Sequence, residues 1–505
     1  MQSYMIVCSE SIHIIPFSGG NKMGRSAKVR GLSDILTFFR RNETPIFFIS
    51  PTSFNLLGLE KFVNRFYHIN YFDSFDGAHP RVFVPTEKGH AEFESMEDVC
   101  NYMLMHKEVI DKIRKAGKGP AKLLFVMLDE KTEEICRDLG VDIALPPVAL
   151  RKKLDSKIEL TRLASEAGID SAPNVLGKAD SFDELMKAAT KARLGNDLVV
   201  QTPYGDSGRT TFFIKSEADW KKNAEDMKGE QLKIMKRINH MPGTLEVCVT
   251  RHGTLSGPIQ TDITGFEEIT PYKGGWCGND VWPKIFNAKT RRELRNMASA
   301  LGDKLYKEGY KGVFCMDFLL DTDDGTPYLG EVNPRISGAS PLTNLITAHY
   351  GGVPLFLFHL LEYLDVDYEI NLRKVQNRWN EYDFWSQLVL KQTEDKVKLL
   401  THAPKSGVWS MDKHGGIEFD RLDLDWTNVI DNDEAYYLRV YREGDYVYKG
   451  ADLGIIVSRG RMQTEQRELR ERAKLWTAAI NAEFHGVEPK AVPDLYQDPF
   501  GSKLF

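Results

Sequence analysis

Apolar and polar positions alternate with period two in two runs of residues 312 to 335, GVFCMDFLLDTDDGTPYLGEVNPR, separated by a polar connector with an Asp-Gly step. Strand formers interrupted by such a signal predict a β-hairpin. Pairing symmetric about Asp324 sets Asp317 opposite Glu331, with Cβ atoms roughly 4.5 to 5.5 Å apart. Side chains two apart share a strand face, so Glu331, Asn333 and Arg335 point the same way as Asp317. Facing carboxylates repel, and a hard divalent cation turns that repulsion into binding. An arginine fork beside them can hold a phosphate or carboxylate oxygen. A solvated hairpin face is the alternative reading. Phe314, Met316, Phe318 and Leu329 argue against it, because they require one buried side.

The pattern elsewhere divides the chain. Over about the first 150 residues the short apolar runs YMIVCS, TPIFFIS and KLLFVML are separated by helical or polar segments, which predicts an open α/β sheet. PFSGGNKMGRS has the glycines and cations of an anion-binding loop but matches neither a P-loop nor GxGxxG, and it is read as an ordinary loop. At LDSKIELTRLASEAGI the period becomes helical, with Asp155 or Ser156 as cap and Leu160, Leu163 and Ala164 as the apolar face. Lys157 in its first turn opposes the helix dipole, which a nearby phosphate would justify. DLVVQTPYGDSGRTTFFI, residues 197 to 214, predicts a second hairpin. Gly205, Ser207 and Gly208 would admit a phosphate to backbone amides and Arg209 would add charge, although an isolated GDSG is also a plain turn. QLKIMKRI and TLEVCVTRHGT follow as strands. Glu246 in the second is either a ribose acceptor or a structural acid.

Leu294, Met297, Ala298, Leu301 and Leu305 recur at helical spacing and form a core stripe. The aromatic and glycine-rich run GFEEITPYKGGWCGNDVW reads as either a substrate-covering loop or a packed surface loop. Beyond Arg335, the small residues Ser337, Gly338 and Ser340 leave room for a ligand, and a helix over Pro354 to Leu364 comes next. From about residue 371 the composition is β-rich, ending in the charged helix EQRELRERAKLWTAAINAEF, which predicts a third, smaller module covering one side of the site.

Composition narrows the partners. The 505 residues suffice for two to four domains, and 66 basic against 72 acidic residues, a formal charge of -6, lack the excess expected of a nucleic-acid binder. Small polar substrates are favoured over nucleic acid. No signal-peptide layout is evident, and the apolar run near Val353 to Leu361 is too short to span a bilayer, so a cytoplasmic protein without membrane contact is expected. Six cysteines without a CxxC pair suggest neither zinc nor disulfides. Homodimerisation is the default expectation.

Together these pieces resemble the ATP-grasp superfamily, in the order of a DSK helix start, a glycine loop between lid strands, a hinge strand, then an acid and ExNPR. The resemblance covers residues 150 to 360 and, loosely, the region before. It implies an α/β (α+β) ATP-grasp fold: an N-terminal open α/β domain over 1–150, an ATP-grasp domain over 151–370 with a mobile lid at about 197–240, and a β-rich C-terminal module over 371–505. It implies ATP with Mg2+ or Mn2+ as cofactors. By resemblance, Lys157 and the Gly205, Ser207, Gly208, Arg209 loop contact phosphates. Ile234 to Ile238, with Lys236 and Arg237, form the adenine-side hinge, and Glu246 binds ribose. Asp317, Glu331 and Asn333 hold the metal, with Asn333 and Arg335 at the reacting phosphoryl group. Gln201 departs from the lysine that many members carry before the glycine loop, and either Arg209 or Lys236 would have to restore that charge. The continuation ISGASPLTN after Arg335 lacks the glutamine-valine-glutamate-histidine run of biotin carboxylases. The implied activity is amide or peptide bond formation between a small carboxylate and an amine through an acyl phosphate. The alternatives are biotin carboxylase-like carboxylation through carboxyphosphate, and a catalytically silent nucleotide-binding protein.

Overall fold

The computed structural model describes residues 28–86, 93, 95–117, 119–205 and 210–489. The early run YMIVCS and the PFSGGNKMGRS segment lie outside these residues, as do Cys8, Ser207, Gly208 and Arg209.

Among the described residues, the first unit is a parallel sheet of five strands in the spatial order Val82–Phe83, Phe66–Asn70, Ile46–Ser50, Lys122–Phe125, Asp142–Ile143. Its central strand, Ile46–Ser50, is buried throughout. Near-continuous apolar runs such as IFFI are what a strand covered by helices on both faces requires.

The helix Lys157–Glu166 starts where the cap chemistry predicted: Ser156 Oγ accepts from the Glu159 amide, and Leu160, Leu163 and Ala164 are buried. A separate four-stranded antiparallel sheet follows, ordered Asn174–Gly177, Leu232–Lys236, Leu198–Gln201, Thr211–Ile214. It closes on its own apolar core, with Leu198, Val200, Ile234 and Trp220 among its members. This sheet begins at Asn174, ahead of the 197–240 range expected for a lid, because its first strand and the helix Phe182–Lys191 share that core.

The largest sheet has 11 strands. One end is the opening hairpin, Gly312–Asp321 with Pro327–Asn333, next to His240–Thr250. The stripe Leu294, Met297, Ala298, Leu301 and Leu305 of the helix Ala288–Lys307 packs beneath this end together with Phe314, Met316, Phe318 and Leu329. Part of the β-rich tail forms its own sheet, Tyr446–Val447, Lys398–His402 and His485–Val487, but most of it does not. Trp385–Lys391 pairs antiparallel with Trp276–Val281, so the tail's main strands prolong the central sheet. Six residues of the run read as a loop, 276 to 281, are therefore a strand. The terminal helix starts at Glu471, later than its charged run suggested. All five described cysteines are buried free thiols. Among the described residues, no helix is long and apolar enough to cross a membrane.

Candidate active site

The hairpin pairs Asp317 with Glu331 and Cys315 with Asn333. The symmetric register holds there and slips by one residue beyond Asp317, where Gly330 is bulged out and Phe318 meets Leu329. The bulge lies next to the chemistry, where such irregularities re-aim side chains. Asn333 Nδ2 donates to Asp317 Oδ2 at 3.0 Å, and Arg335 Nη2 donates to Asn333 Oδ1 at 3.0 Å. The acid, amide and guanidinium read from the alternation are thus one connected chain. Burial, then the neighbouring Glu331 charge, pushes the Asp317 carboxyl above the usual carboxylate range.

A further acid, missed in the sequence, sits behind Asp317. The Thr244 hydroxyl lies 2.8 Å from Asp317 Oδ1 and 2.9 Å from Asp262 Oδ1. One hydroxyl has one proton to give, so the two acids compete for it. Burial, then Asp317, drives the Asp262 carboxyl well upward, while Asn279 Nδ2 donates to it at 2.8 Å. Asp262 lies in the strand Gln260–Thr264, where no motif marks it.

Across the cleft, Lys157 Nζ donates to the Gly205 carbonyl at 2.9 Å and stands 3.7 Å from Glu331 Oε2. The lysine helix, the glycine loop and the hairpin therefore meet around one cavity of about 250 Å³. Its walls continue past Arg335, Ser337 and Gly338 to Trp276, Val389 and Asp452. Gly338 must be small there, because a Cβ would lie 2.5 Å from the Trp276 ring.

Not every expected residue faces this cavity. Gln201 donates to Thr211 Oγ1 at 3.1 Å and pairs with Lys233 on the neighbouring strand. Leu232 and Ile234 point into the lid core, and alternation turns Lys233 and Met235 towards the cleft. Lys236, two residues from Ile234, belongs to the other face and is exposed. Lys233 has the position to restore the charge missing at Gln201. It is 3% exposed, and burial lowers its ammonium to about 8, with Glu331 opposing that shift and Lys157 reinforcing it. Arg237 lies over the Phe213 ring and 3.8 Å from Asp197, at the outer edge of the lid, and Ile238 is half-buried beyond the strand end.

Glu246 is also placed differently from its ribose expectation. It is fully buried beneath Ser337 and Ser340, whose hydroxyls both hydrogen-bond to its Oε1. Burial raises its carboxyl to about 7 against those two hydrogen bonds. Its Oε2 is buried with no hydrogen-bond partner among the described residues. Ser340 is consumed in the contact to Oε1, whereas Ser337 and Gly338 keep a face on the cavity.

Solved structures share this fold. A biotin carboxylase from Campylobacter jejuni, solved with an ATP analogue, superimposes with a TM-score of 0.62 at 13% identity, over 88% of this chain and 92% of that one. The chain has the ATP-grasp fold. The same ATP-grasp architecture relates it to an N5-carboxyaminoimidazole synthase from Aspergillus clavatus, with a TM-score of 0.52, 15% identity and coverage of 87% and 99%. A phosphoribosylamine–glycine ligase from Thermotoga maritima gives 0.53 at 13% identity, covering 88% and 98%. No family model matches the sequence. Among curated proteins, it is 21% identical over 218 residues to a mitochondrial methylcrotonoyl-CoA carboxylase subunit alpha from Arabidopsis thaliana, covering 42% of this chain and 29% of that protein. A propionyl-CoA carboxylase alpha chain from Ruegeria pomeroyi gives 21% over 253 residues, 47% of this chain and 36% of the other. The chain thus spans about a third of the length of the curated relatives it matches.

Proposed function

We propose that the chain is an ATP-dependent ligase that activates a small carboxylate as an acyl phosphate and passes the acyl group to an amine, releasing ADP and phosphate. The observation that carries this reading is the register pairing of Asp317 with Glu331, linked through Asn333 to Arg335 and faced by Lys157 across one cavity. Carboxylates are poor electrophiles, and phosphorylation supplies their leaving group.

The residues fit a divalent cation. Asp317, Glu331 and Asn333 would hold it, and among the described residues no cluster of three or more His, Cys, Asp or Glu side chains competes for it. Two acids and an amide leave coordination to be completed by phosphate oxygens, as hard cations at nucleotide sites prefer. Such an ion would neutralise charge on the transferring phosphoryl group. Lys157 and Lys233 would meet the remaining phosphates from the lid side. Asn333, accepting from Arg335 while donating to Asp317, holds the guanidinium towards the reacting carboxylate. The lid sheet, closing as a body on its own core, would keep water from the acyl phosphate.

A second reading takes bicarbonate as the acid, giving carboxyphosphate. The names of the curated relatives and of the biotin carboxylase structure favour it; the small residues after Arg335 favour a bulkier substrate. An ADP-release screen over amino acids, small carboxylates and bicarbonate, each with and without an amine or free biotin, tests both. Release that needs a carboxylate and rises with an amine supports the ligase reading. Release that needs bicarbonate and rises with biotin replaces it. Tight ATP binding with no release under any pair would instead mark a silent nucleotide-binding protein.

A further inference from the structure

Behind Arg335 lies a second cavity of about 450 Å³, bounded by the helix Val148–Asp155, the loop after the strand Lys122–Phe125, and Pro334. Arg335 lines both this cavity and the one holding the phosphate-binding groups, so it stands at their junction. Arg151 projects into the second cavity from the helix. It is only 7% exposed, yet among the described residues its guanidinium has just two partners, the Leu128 carbonyl at 3.2 Å and Met127 Sδ at 3.7 Å. Its Nε is buried with no partner.

Among the described residues, neither Arg151 nor Arg335 is in an ion pair. The two guanidiniums act on one another through space, and burial followed by Arg335 pulls the Arg151 pKa below its ordinary value. Glu97 and Asp155 also line the cavity and offset part of the charge at a distance, and Lys152 is turned outward to Glu130. Holding a nearly buried arginine beside another, without an ion pair, is costly unless an anion completes the site. The space is far larger than a single carboxylate needs and falls in the range of small-molecule pockets.

We propose that this cavity is the acid-substrate subsite and that it selects acids with a second anionic group, the reactive carboxylate lying at Arg335 and the second oxyanion at Arg151. This rests on the ligase reading and narrows it, since bicarbonate has no second group to offer. The second oxyanion is a carboxylate or a phosphate, which a planar guanidinium fork suits equally.

The test is calorimetric titration of the full chain, without nucleotide, with acetate, malonate and phosphoglycolate, for the wild type and Arg151→Met. The wild type should bind malonate or phosphoglycolate at least ~10-fold more tightly than acetate, the better of the two naming the second group. That preference should vanish in Arg151→Met while Mg-ATP affinity is unchanged. Equal binding of the three anions by the wild type, or a preference that survives in Arg151→Met, would overturn the proposal. Should Arg151→Met not fold, Arg151→Lys takes its place, keeping the charge but not the fork, and must lose most of the preference. A wild type that prefers dianions but does not bind Mg-ATP would count against the ligase reading and leave the anion site standing.

Discussion

Lys233 and Glu246 carry the two residue-scale predictions. Lys233 sits in the lid sheet with no ion-pair partner among the described residues and with burial opposing its charge. Replacing it by Met removes a buried ammonium without opening a large void, so thermal stability should hold or rise. ATP affinity should fall about 10- to 100-fold, the worth of one charge-assisted contact; unchanged ATP affinity by calorimetry would remove Lys233 from the site. Glu246 predicts a pH dependence. Its folded pKa is raised from 4.5 to about 7, so the folded state holds the proton that the unfolded state releases between those values. This contribution to stability is full below about pH 4.5 and is lost as pH rises through about 7, amounting to about 3 kcal/mol. Denaturant titrations at pH 4.5 and 8 should show that decline in the wild type relative to Glu246→Gln, and parallel profiles for the two would contradict it. Asp317, Glu331, Asn333, Arg335 and Lys157 were legible in the sequence because alternation and a helix cap fix where those side chains point. Lys233 was hidden because its partner Gln201 lies on another strand, and pairing between strands 30 residues apart has no local signal. The surroundings of Glu246 were hidden for a related reason: its partners Ser337 and Ser340 lie about 90 residues away in sequence.

At the scale of elements, the hairpin and the lid behave differently. The hairpin is locked into the central sheet by a ten-residue pairing of His240–Thr250 with Gly312–Asp321. The lid sheet keeps a separate core, and its Lys157–Gly205 contact is a single hydrogen bond that phosphates would replace. Mg-ATP should therefore slow amide hydrogen exchange in residues 198–205 and 210–214 while leaving 312–321 nearly unchanged. Equal protection of both, or of neither, would argue against a lid that closes on nucleotide. The hairpins, the lysine helix and the core stripe were readable because each is set by contacts within about 20 residues. The first strand of the four-stranded sheet was not, because Asn174–Gly177 pairs with a strand nearly 60 residues later.

For the whole molecule, one apolar cluster runs from Ile46 and Phe47 of the parallel sheet through Phe356 to Leu388, Tyr436 and Trp476 of the C-terminal strands. Asn55 also donates to the Ser337 carbonyl at 2.9 Å, bringing the first unit to the edge of the cavity. The modules suggested by composition are therefore interdependent. Truncation after residue 370 removes the strand that covers Trp276–Val281 and exposes an apolar edge. The truncated chain should aggregate or lose cooperative melting, whereas a monodisperse, cooperatively unfolding fragment would contradict a continuous sheet. Composition indicated β structure there but not its attachment, since nothing local distinguishes a new sheet from the extension of an old one.

The most direct test of the central claim is ADP release by the wild type and by Glu331→Gln, with Mg2+ and a carboxylate–amine pair identified by the screen. Glu331→Gln removes one of the two facing charges and nearly preserves shape, so its melting temperature should match the wild type. Mg2+-dependent release is expected of the wild type and a loss of at least ~100-fold in the variant, the scale of removing one preorganised electrostatic group. Near-normal release by Glu331→Gln would contradict the claim.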